Sequence, residues 1–359
     1  MEKDGQLILE DGTRLFGRRF GAERRQLAEL VFNTSPVGYQ EIVSDPSYTD
    51  QAVVMAYPLI GNYGVAAEDF ETETPTIGAL IVRDCCDAPS NFRSAETLPA
   101  MMRRFGIPGL SGVDTRKLVR HIREKGCCRA LLAESALPLE EGLALLESYA
   151  PPHDAVARVS RKEIVTYPAA EEKFRVAAVD CGMKQNLVRR MNALGCTVMA
   201  LPWDTAAETV EALRPDGIFL SNGPGDPSDA APVVALVRAL RGKYPMFGVC
   251  LGHQIIALAC GGRTYKLKFG HRGGNHPVRE LASGRIEITS QNHSYAVDAA
   301  SLAGTPLRVT HLNLLDGTVE GMESPADRLM SVQYHPESAP GPQDSGYLFG
   351  RFLKMMEAK

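Results

Sequence analysis

The feature that most constrains the fold of this 359-residue chain is a repeated alternation of two segment types in its second half. Short apolar runs lie at 174–180, 197–203, 217–221 and 245–249, and helix-like segments lie between them at 185–195, 204–216 and 231–243. Strands that alternate with helices predict an α/β fold with a doubly wound, mainly parallel sheet. In such sheets, sites form beyond the carboxyl ends of the strands. The loop SNGPGDP, which begins at Ser221, and Cys250 both follow strands, so we expect them at one edge of the sheet.

The first 150 residues have a different character, because strand-like segments dominate and helices are few. Two short strands are predicted on either side of an Asp11–Gly12 turn. A helix is predicted over 115–125, since Asp114 can cap its start and Gly126 can end it. The segment 151–173 mixes proline, charge and weak periodicity, which is typical of a linker. We therefore expect a separate strand-rich N-terminal α/β domain over 1–150, a linker over 151–173 and a second domain over 174–359.

The composition argues against several classes of protein. A formal net charge of −4 gives no electrostatic reason to expect binding to nucleic acid. No apolar run approaches the ~20 residues that cross a membrane, and the acidic N-terminus lacks the order of a signal peptide. None of the eight cysteines forms a C-x-x-C pair, and disulfides are not expected in a reducing compartment. These features predict a cytoplasmic globular protein without membrane contact.

Cys250 lies in a setting that a buried structural cysteine does not need. It stands between Gly248 and Gly252, where an apolar run changes into a helix-like segment, and G-x-nucleophile-x-G is the pattern of a nucleophile elbow. The start of the following helix favours a thiolate, but by ~2 kcal/mol at most. A free thiol with a pKa of ~8.5 is only a few per cent thiolate at pH 7. A catalytic cysteine here therefore needs a basic partner.

His335 is the predicted base. It follows the apolar run LMSVQY, and Glu337 comes two residues later, so that a carboxylate can orient the imidazole. His253 lies one helical turn after Cys250, but no third group is close in sequence to orient it. The remaining histidines lie in the first half of the chain or in predicted loops and short strands: His121, His153, His271, His276, His293 and His311. We therefore predict the catalytic triad Cys250, His335 and Glu337.

These motifs carry a family resemblance. GVCLGHQ followed by HPE resembles the class I, triad-type glutamine amidotransferases. Other stretches of the second half, SNGPGDP, KLKFGHRGGNHPV, QNHSYAVD and QYHPESAPGP, are similar to the small subunits of carbamoyl-phosphate synthases. The first half is similar to them through VFNTSPVGYQEIVSDPSYTDQ, YPLIGNYG and GVDTRKLVRHIREKG. The resemblance covers nearly the whole chain and includes the N-terminal domain that is characteristic of this family.

The resemblance implies that Cys250 attacks the side-chain amide of L-glutamine to form a glutamyl thioester and ammonia. The backbone N–H groups of Leu251 and Gly223 would stabilise the oxyanion. The family's glutamine-binding positions correspond to Ser47, Gly223, Gly225, Leu251, Gln254, Asn292, Ser294 and Tyr295. Ser294 and Tyr295 replace the family's commoner Gly-Phe. We expect the same substrate choice, because the contact at Ser294 is made through the backbone.

No cofactor is expected on this chain. His271 and His276 flank a turn without carboxylates or thiols at ligand spacing, which predicts no metal, and no phosphate-binding G-x-x-x-x-G-K-[ST] loop is present. The resemblance therefore implies a large synthetase subunit that binds ATP and Mg²⁺ and uses bicarbonate. The two subunits would form a heterodimer, with a higher oligomer of heterodimers as a further expectation.

Two other functions are compatible with the elbow alone. An amidotransferase that serves anthranilate or guanylate synthesis, or a free-standing glutaminase, would lack the N-terminal 150 residues. A non-catalytic scaffold would have no need for Cys250, His335 and Glu337 together.

Overall fold

Two units make up the chain in the computed structural model, which describes residues 3–358. They comprise Met1–Pro152 and His153–Lys359. The strands of the first unit are β1 (Gly5–Leu9), β2 (Arg14–Gly21), β3 (Gln26–Asn33), β4 (Gln51–Met55), β5 (Leu59–Ile60), β6 (Ala79–Ile81), β7 (Asp84–Cys85), β8 (Pro108–Ser111) and β9 (Cys128–Glu134). Its helices are α1 (Tyr39–Ser44), α2 (Leu98–Arg104), α3 (Thr115–Lys125) and α4 (Leu139–Ser148).

Most strands of the first unit close into a barrel in the order β1-β2-β8-β6-β4-β3-β9. The predicted hairpin is confirmed, because β1 and β2 pair antiparallel around a turn in which Gly12 has a φ of 83°. The predicted helix is also confirmed as α3. The Asp114 side chain accepts a hydrogen bond from the Lys117 N–H at 2.9 Å, and Gly126, with a φ of 106°, ends the helix.

The second unit begins with elements inside the segment 151–173, which was predicted to be a linker. They are α5 (Ala155–Val159) and β10 (Val165–Tyr167), and β10 pairs antiparallel with the edge of the second unit's sheet. The strands that follow are β11 (Phe174–Asp180), β12 (Cys196–Pro202), β13 (Gly217–Leu220), β14 (Met246–Val249), β15 (Thr264–Glu280), β16 (Ile286–Val297), β17 (Arg308–Asn313), β18 (Val319–Ser324) and β19 (Leu329–Val332). The helices are α6 (Gln185–Ala193), α7 (Ala207–Leu213), α8 (Ala231–Leu240), α9 (Leu251–Ala259) and α10 (Tyr347–Glu357).

These strands form one sheet in the order β10-β12-β11-β13-β14-β19-β18-β16-β15-β17. The central strands from β12 to β19 pair in parallel, and the strands beyond β19 pair antiparallel. Side chains of β11 alternate between two apolar cores. Ala177 and Val179 pack in the core that contains α7, α8 and α9, while Val176 and Ala178 pack in the core that contains α6 and α10. Burial on both faces explains why these strands are continuously apolar in sequence.

Several histidines lie in longer strands than the sequence predicted. His271 and His276 are in the 17-residue β15, and His293 is in the 12-residue β16. The expectation of loops and short strands was wrong for these residues, because glycine and polar residues interrupt the apolar alternation of this hairpin. In the part of the chain that the structure describes, every helix is too short or too polar to cross a lipid bilayer.

Candidate active site

The turn at Cys250 has strained geometry. Cys250 joins β14 to α9 with a φ of 54° and a ψ of −102°, a conformation that residues other than glycine rarely adopt. A Cβ atom on Gly248 would lie 2.6 Å from the Gly252 carbonyl oxygen, and one on Gly252 would lie 2.3 Å from the Leu220 carbonyl oxygen. Both positions therefore require glycine. The tight turn places Cys250 directly before the first residue of α9, as the elbow pattern predicts.

The glycine- and proline-rich loop after β13 lies beside this elbow, which confirms the predicted common edge. The Gly252 N–H donates to the Ser221 carbonyl oxygen at 3.1 Å. A Cβ atom on Gly223 would lie 2.2 Å from the Cys181 carbonyl oxygen and 2.8 Å from the Leu251 side chain. Only glycine fits there. The structure therefore brings Gly223 and Leu251, the two predicted oxyanion donors, next to each other.

His335 and Glu337 form a buried pair just after β19. The His335 Nδ1 and Glu337 Oε1 atoms are 2.8 Å apart. Lys184 Nζ donates to the same carboxylate oxygen at 2.9 Å and to the carbonyl oxygens of Ser338 and Ala339, both at 2.8 Å. The His335 Nε2 atom has no hydrogen-bond partner among the described residues. The carboxylate thus holds one ring nitrogen of the imidazole, and the other ring nitrogen is available for proton transfer.

The side chains of this group shift one another's pKa values in the directions that favour their charged forms. Burial lowers the pKa of His335, but the Glu337 carboxylate and Cys250 outweigh it and hold that pKa well above its ordinary value. Burial raises the pKa of Glu337, but Lys184 and His335 outweigh it and hold that pKa below its ordinary value. Glu337 is therefore a carboxylate at neutral pH, and His335 holds a proton readily. A side chain that accepts a proton from sulfur needs this property.

The predicted glutamine-binding segment of β16, residues 292–295, borders the elbow. Cys250 Sγ lies 3.5 Å from the Asn292 carbonyl oxygen. Gln254 lies one turn along α9, and its Nε2 donates to the Tyr295 carbonyl oxygen at 2.9 Å and to Gln333 Oε1 at 3.0 Å. The structure thus brings Cys250, Gln254 and this segment together.

Comparison with known proteins identifies the family of this chain. "Carbamoyl-phosphate synthase small chain, CPSase domain" matches residues 7–132, and "Glutamine amidotransferase class-I" matches residues 177–355. The "Carbamoyl phosphate synthase pyrimidine-specific small chain" of Halalkalibacterium halodurans is 50% identical over 353 residues, which cover 98% of this chain and 97% of that protein. The chain belongs to the carbamoyl-phosphate synthase small chain family. A "Carbamoyl phosphate synthase small chain" of Fusobacterium nucleatum is 48% identical and covers 98% of both chains, and one of Bacillus caldolyticus is 49% identical and covers 98% of this chain and 96% of its own.

Gly225 and Ser47 are the two remaining predicted glutamine-binding residues. Gly225 takes a φ of 87° in the loop after β13. Ser47 belongs to the first unit, where it is buried in the turn Pro46–Tyr48 and its N–H bonds to the Asp45 side chain at 2.9 Å. The part of each predicted site residue in glutamine binding or catalysis, that of Ser47 included, stays a prediction.

His253 is a structural residue. It is fully buried, and its Nδ1 lies 3.0 Å from Ser331 Oγ. Burial, helped by His311, lowers the pKa of His253 to about 3, so the ring is neutral at physiological pH. This agrees with the choice of His335 over His253 as the base.

His271, His293 and Glu320 form a second buried cluster, whose potential ligand atoms all lie within 4.8 Å of one another. The sequence predicted no metal because no carboxylate lies at ligand spacing from His271, yet β18 brings Glu320 to it. Hydrogen bonds already occupy both ring nitrogens of His293. His293 Nδ1 lies 2.7 Å from the Tyr295 carbonyl oxygen, and His293 Nε2 lies 2.8 Å from the oxygen of Gln291, whose amide nitrogen donates to Glu320 at 2.9 Å. A metal ion bound to His293 would have to displace one of these bonds.

Sequence reasoning missed the residues that support the triad and the segment 292–295. Lys184 follows β11 at the carboxyl edge of the sheet, and a lysine at the end of a buried strand is a signal that could have found it. Arg272, Gln291 and Glu320 gave no such signal, because their contacts depend on strand register. These side chains are all buried in the structure.

Proposed function

We propose that this chain is the glutamine-hydrolysing subunit of a carbamoyl-phosphate synthase. The observation that carries the proposal is a strained cysteine at a strand end together with a buried His335–Glu337 pair, whose nearest atoms are 2.8 Å apart. The substrate is inferred from the family to which the chain belongs. L-glutamine is the donor, and carbamoyl phosphate is the product of the complete enzyme.

In the first half-reaction, the Cys250 sulfur attacks the side-chain amide carbon of glutamine after its proton has passed to His335. The amide C–N bond then breaks, and the leaving nitrogen takes the proton from His335 and departs as ammonia. Glu337 and Lys184 support this exchange, because the carboxylate stabilises the imidazolium and the ammonium keeps the carboxylate ionised. A glutamyl thioester remains on Cys250.

In the second half-reaction, His335 accepts a proton from water as the water oxygen attacks the thioester carbon. The C–S bond breaks, the sulfur regains a proton, and glutamate leaves. In both steps, the backbone N–H groups of Leu251 and Gly223 are the proposed donors to the oxyanion. Their close contact beside the elbow supports this role.

The same proposal covers the partner and its cofactors. Ammonia passes to a large synthetase subunit, where ATP, Mg²⁺ and bicarbonate are used. Ammonia must be protected from solvent on the way, because at neutral pH water converts most of it to ammonium, which is no nucleophile. A heterodimer with the large subunit is the proposed minimal assembly, and a larger oligomer of heterodimers is its extension.

The finer description of the fold is also a proposal. Parallel pairing of the central strands and apolar cores on both faces support the interpretation of the second unit's sheet as doubly wound. The three-part division at 150 and 173 rests on composition. The first-unit match over residues 7–132 speaks against the alternative of an amidotransferase for another synthase, since those lack this domain.

The experiment is a glutaminase assay on the full chain, alone and with the large synthetase subunit of the same organism. We expect slow release of glutamate by the chain alone and at least a tenfold increase when the large subunit, ATP and bicarbonate are added, equivalent to ~1.4 kcal/mol of barrier. No glutamate release by the complete complex would show that the proposed function is wrong.

A further inference from the structure

The hairpin of β15 and β16 is irregular beside the elbow. Lys266 lies opposite Tyr295, and His271 lies opposite His293, with a register shift between the two pairs. Residues 267–270 of β15 therefore face Ser294, the one residue between those partners on β16. An excess of residues on one strand is a β-bulge, and it interrupts the ladder of backbone hydrogen bonds that would hold the opposite strand.

The Arg272 side chain spans this bulge. Its Nη1 donates to the Phe269 carbonyl oxygen at 2.9 Å, and its Nη2 donates to Ser294 Oγ at 2.5 Å. Gly270 makes room for the guanidinium, because a Cβ atom there would lie 2.5 Å from Arg272 Nη1 and 2.4 Å from the His293 carbonyl oxygen. Arg272 is only 3% exposed, so water does not compete strongly for these bonds.

Other contacts hold the neighbours of Ser294 in this segment, which are Asn292, His293 and Tyr295. The Asn292 carbonyl oxygen faces Cys250 Sγ, and the Tyr295 carbonyl oxygen accepts from Gln254 and lies against His293. Ser294 lies between these points and opposite the bulge. Among the described residues, the bond from Arg272 is therefore the side-chain contact that fixes Ser294.

We propose that Arg272 is a positioning residue for glutamine. It ties the bulge of β15 to the Ser294 hydroxyl and so keeps the backbone of residues 292–295 in the shape that binds the substrate. The inference rests on the proposed function, because it assigns a role to this segment in glutamine binding. Arg272 acts through Ser294 and does not take part in proton transfer, so its loss should weaken glutamine binding more than it slows the chemistry.

The test uses Arg272→Lys, Ser294→Ala and the double variant, each as the full chain in complex with its large synthetase subunit. Lysine keeps the charge but cannot make both bonds from one planar group. We expect the KM for glutamine to rise about tenfold in Arg272→Lys and several-fold in Ser294→Ala, with kcat within about twofold of wild type. Both single variants break the same bond, the one between Arg272 and Ser294. The double variant should therefore be about as impaired as Arg272→Lys alone.

Three controls separate positioning from damage to the fold. Ser294→Thr keeps a hydroxyl and should raise the KM for glutamine less than Ser294→Ala does. Ser324→Ala removes a buried hydroxyl elsewhere on the sheet, one that bonds to Asp327, and should leave the KM unchanged. Synthesis of carbamoyl phosphate from added ammonia should continue in every variant, since this reaction does not use glutamine.

Two outcomes would overturn the inference while glutamine hydrolysis by wild type still supports the proposed function. One is an unchanged KM in both single variants. The other is a double variant whose KM increase equals the product of the two single increases, which would show that Arg272 and Ser294 act independently. If Arg272→Lys does not fold, the KM of Ser294→Ala against that of Ser294→Thr decides the question alone.

Discussion

Two parallel strands of the second unit, β11 and β14, are each followed by a buried cysteine, and the two cysteines differ in their surroundings. Burial, together with the neighbouring Asp180 carboxylate, raises the pKa of the Cys181 thiol well above its ordinary value. Cys250 instead lies in a strained turn before α9 and helps to raise the pKa of the His335 imidazole. Both cysteines are buried, and both follow the end of a strand. The sign of the neighbouring charge and the backbone geometry distinguish the candidate nucleophile from the inert thiol.

The largest expected effect is the loss of Cys250. Cys250→Ser should lower the rate of glutamine hydrolysis at least a thousandfold, because a hydroxyl at this position is a far weaker nucleophile. The measurement is glutamate release by the complex with the large subunit. Cys181→Ala is the matched control and should keep hydrolysis within about threefold of wild type. Similar losses of glutamine hydrolysis in the two variants would show that Cys250 has no special role compared with Cys181.

The second prediction concerns the base. His335→Asn should slow hydrolysis by about 10²–10⁴-fold, since asparagine cannot move a proton from the sulfur to the leaving nitrogen. His153→Asn is the control, because this histidine is 83% exposed and contacts Asp229 at the surface. Single-turnover kinetics should show slow thioester formation in His335→Asn. Normal thioester formation would mean that another group activates Cys250.

The third prediction tests the support beneath the triad. Lys184→Met should lower the free energy of unfolding by about 3–5 kcal/mol, because it removes the ammonium group that bonds to the buried Glu337 carboxylate. Lys243→Met is the matched control. Its ion pair with Glu211 is exposed, so its loss should cost less than about 1 kcal/mol. Urea unfolding of the two variants measures the difference, and equal costs would show that the Lys184 pair is not held as the structure indicates.

The Glu337 pair also predicts a dependence on pH. The pKa of Glu337 is held below its unfolded value, so its contribution to stability is present at neutral pH and is lost as the pH falls through the lowered pKa. The free energy of unfolding of wild type should therefore fall more steeply below about pH 4.5 than that of Glu337→Gln, by up to a few kcal/mol. Parallel curves for the two proteins would contradict this assignment.

The smallest effect compares the two thiols directly in wild type. A diazo-ketone that mimics glutamine should label Cys250 at least tenfold faster than Cys181 at pH 7–8, because the raised pKa keeps Cys181 as a thiol in this range. Mass-spectrometric mapping of labelled peptides checks the selectivity. In urea, both cysteines should react at similar rates. Preferential labelling of Cys181, or of the adjacent pairs Cys85–Cys86 and Cys127–Cys128, would show that Cys250 is not the activated thiol.

The sequence predicted much of this protein because its strongest signals are local. The hairpin around Gly12, the helix capped by Asp114 and the elbow around Cys250 each depend on a few adjacent residues. Turn geometry and capping depend on neighbours along the chain, so they can be recognised without a tertiary structure. The pairing of His335 with Glu337 was predictable for the same reason, since the two residues lie only two positions apart.

The segment 151–173 was harder to interpret. Its β10 is a three-residue edge strand with two exposed residues, so its sequence has little apolar pattern. β10 is held by backbone pairing with β12, and its composition does not indicate this pairing. The long β15 was missed for a related reason, because its bulge breaks the two-residue alternation that indicates a strand.

The sequence by itself indicated the family and predicted the candidate nucleophile, the base and its orienting carboxylate. The tertiary structure decided which distant side chains support them. Lys184 reaches Glu337 across 153 positions of the chain, and Arg272 reaches Ser294 across a bulge whose register no local pattern specifies. A motif is determined by bond geometry over a few residues, whereas such contacts depend on how strands align in the folded sheet. For that reason the candidate catalytic residues could be named from the sequence, and the residues that hold them in place could not.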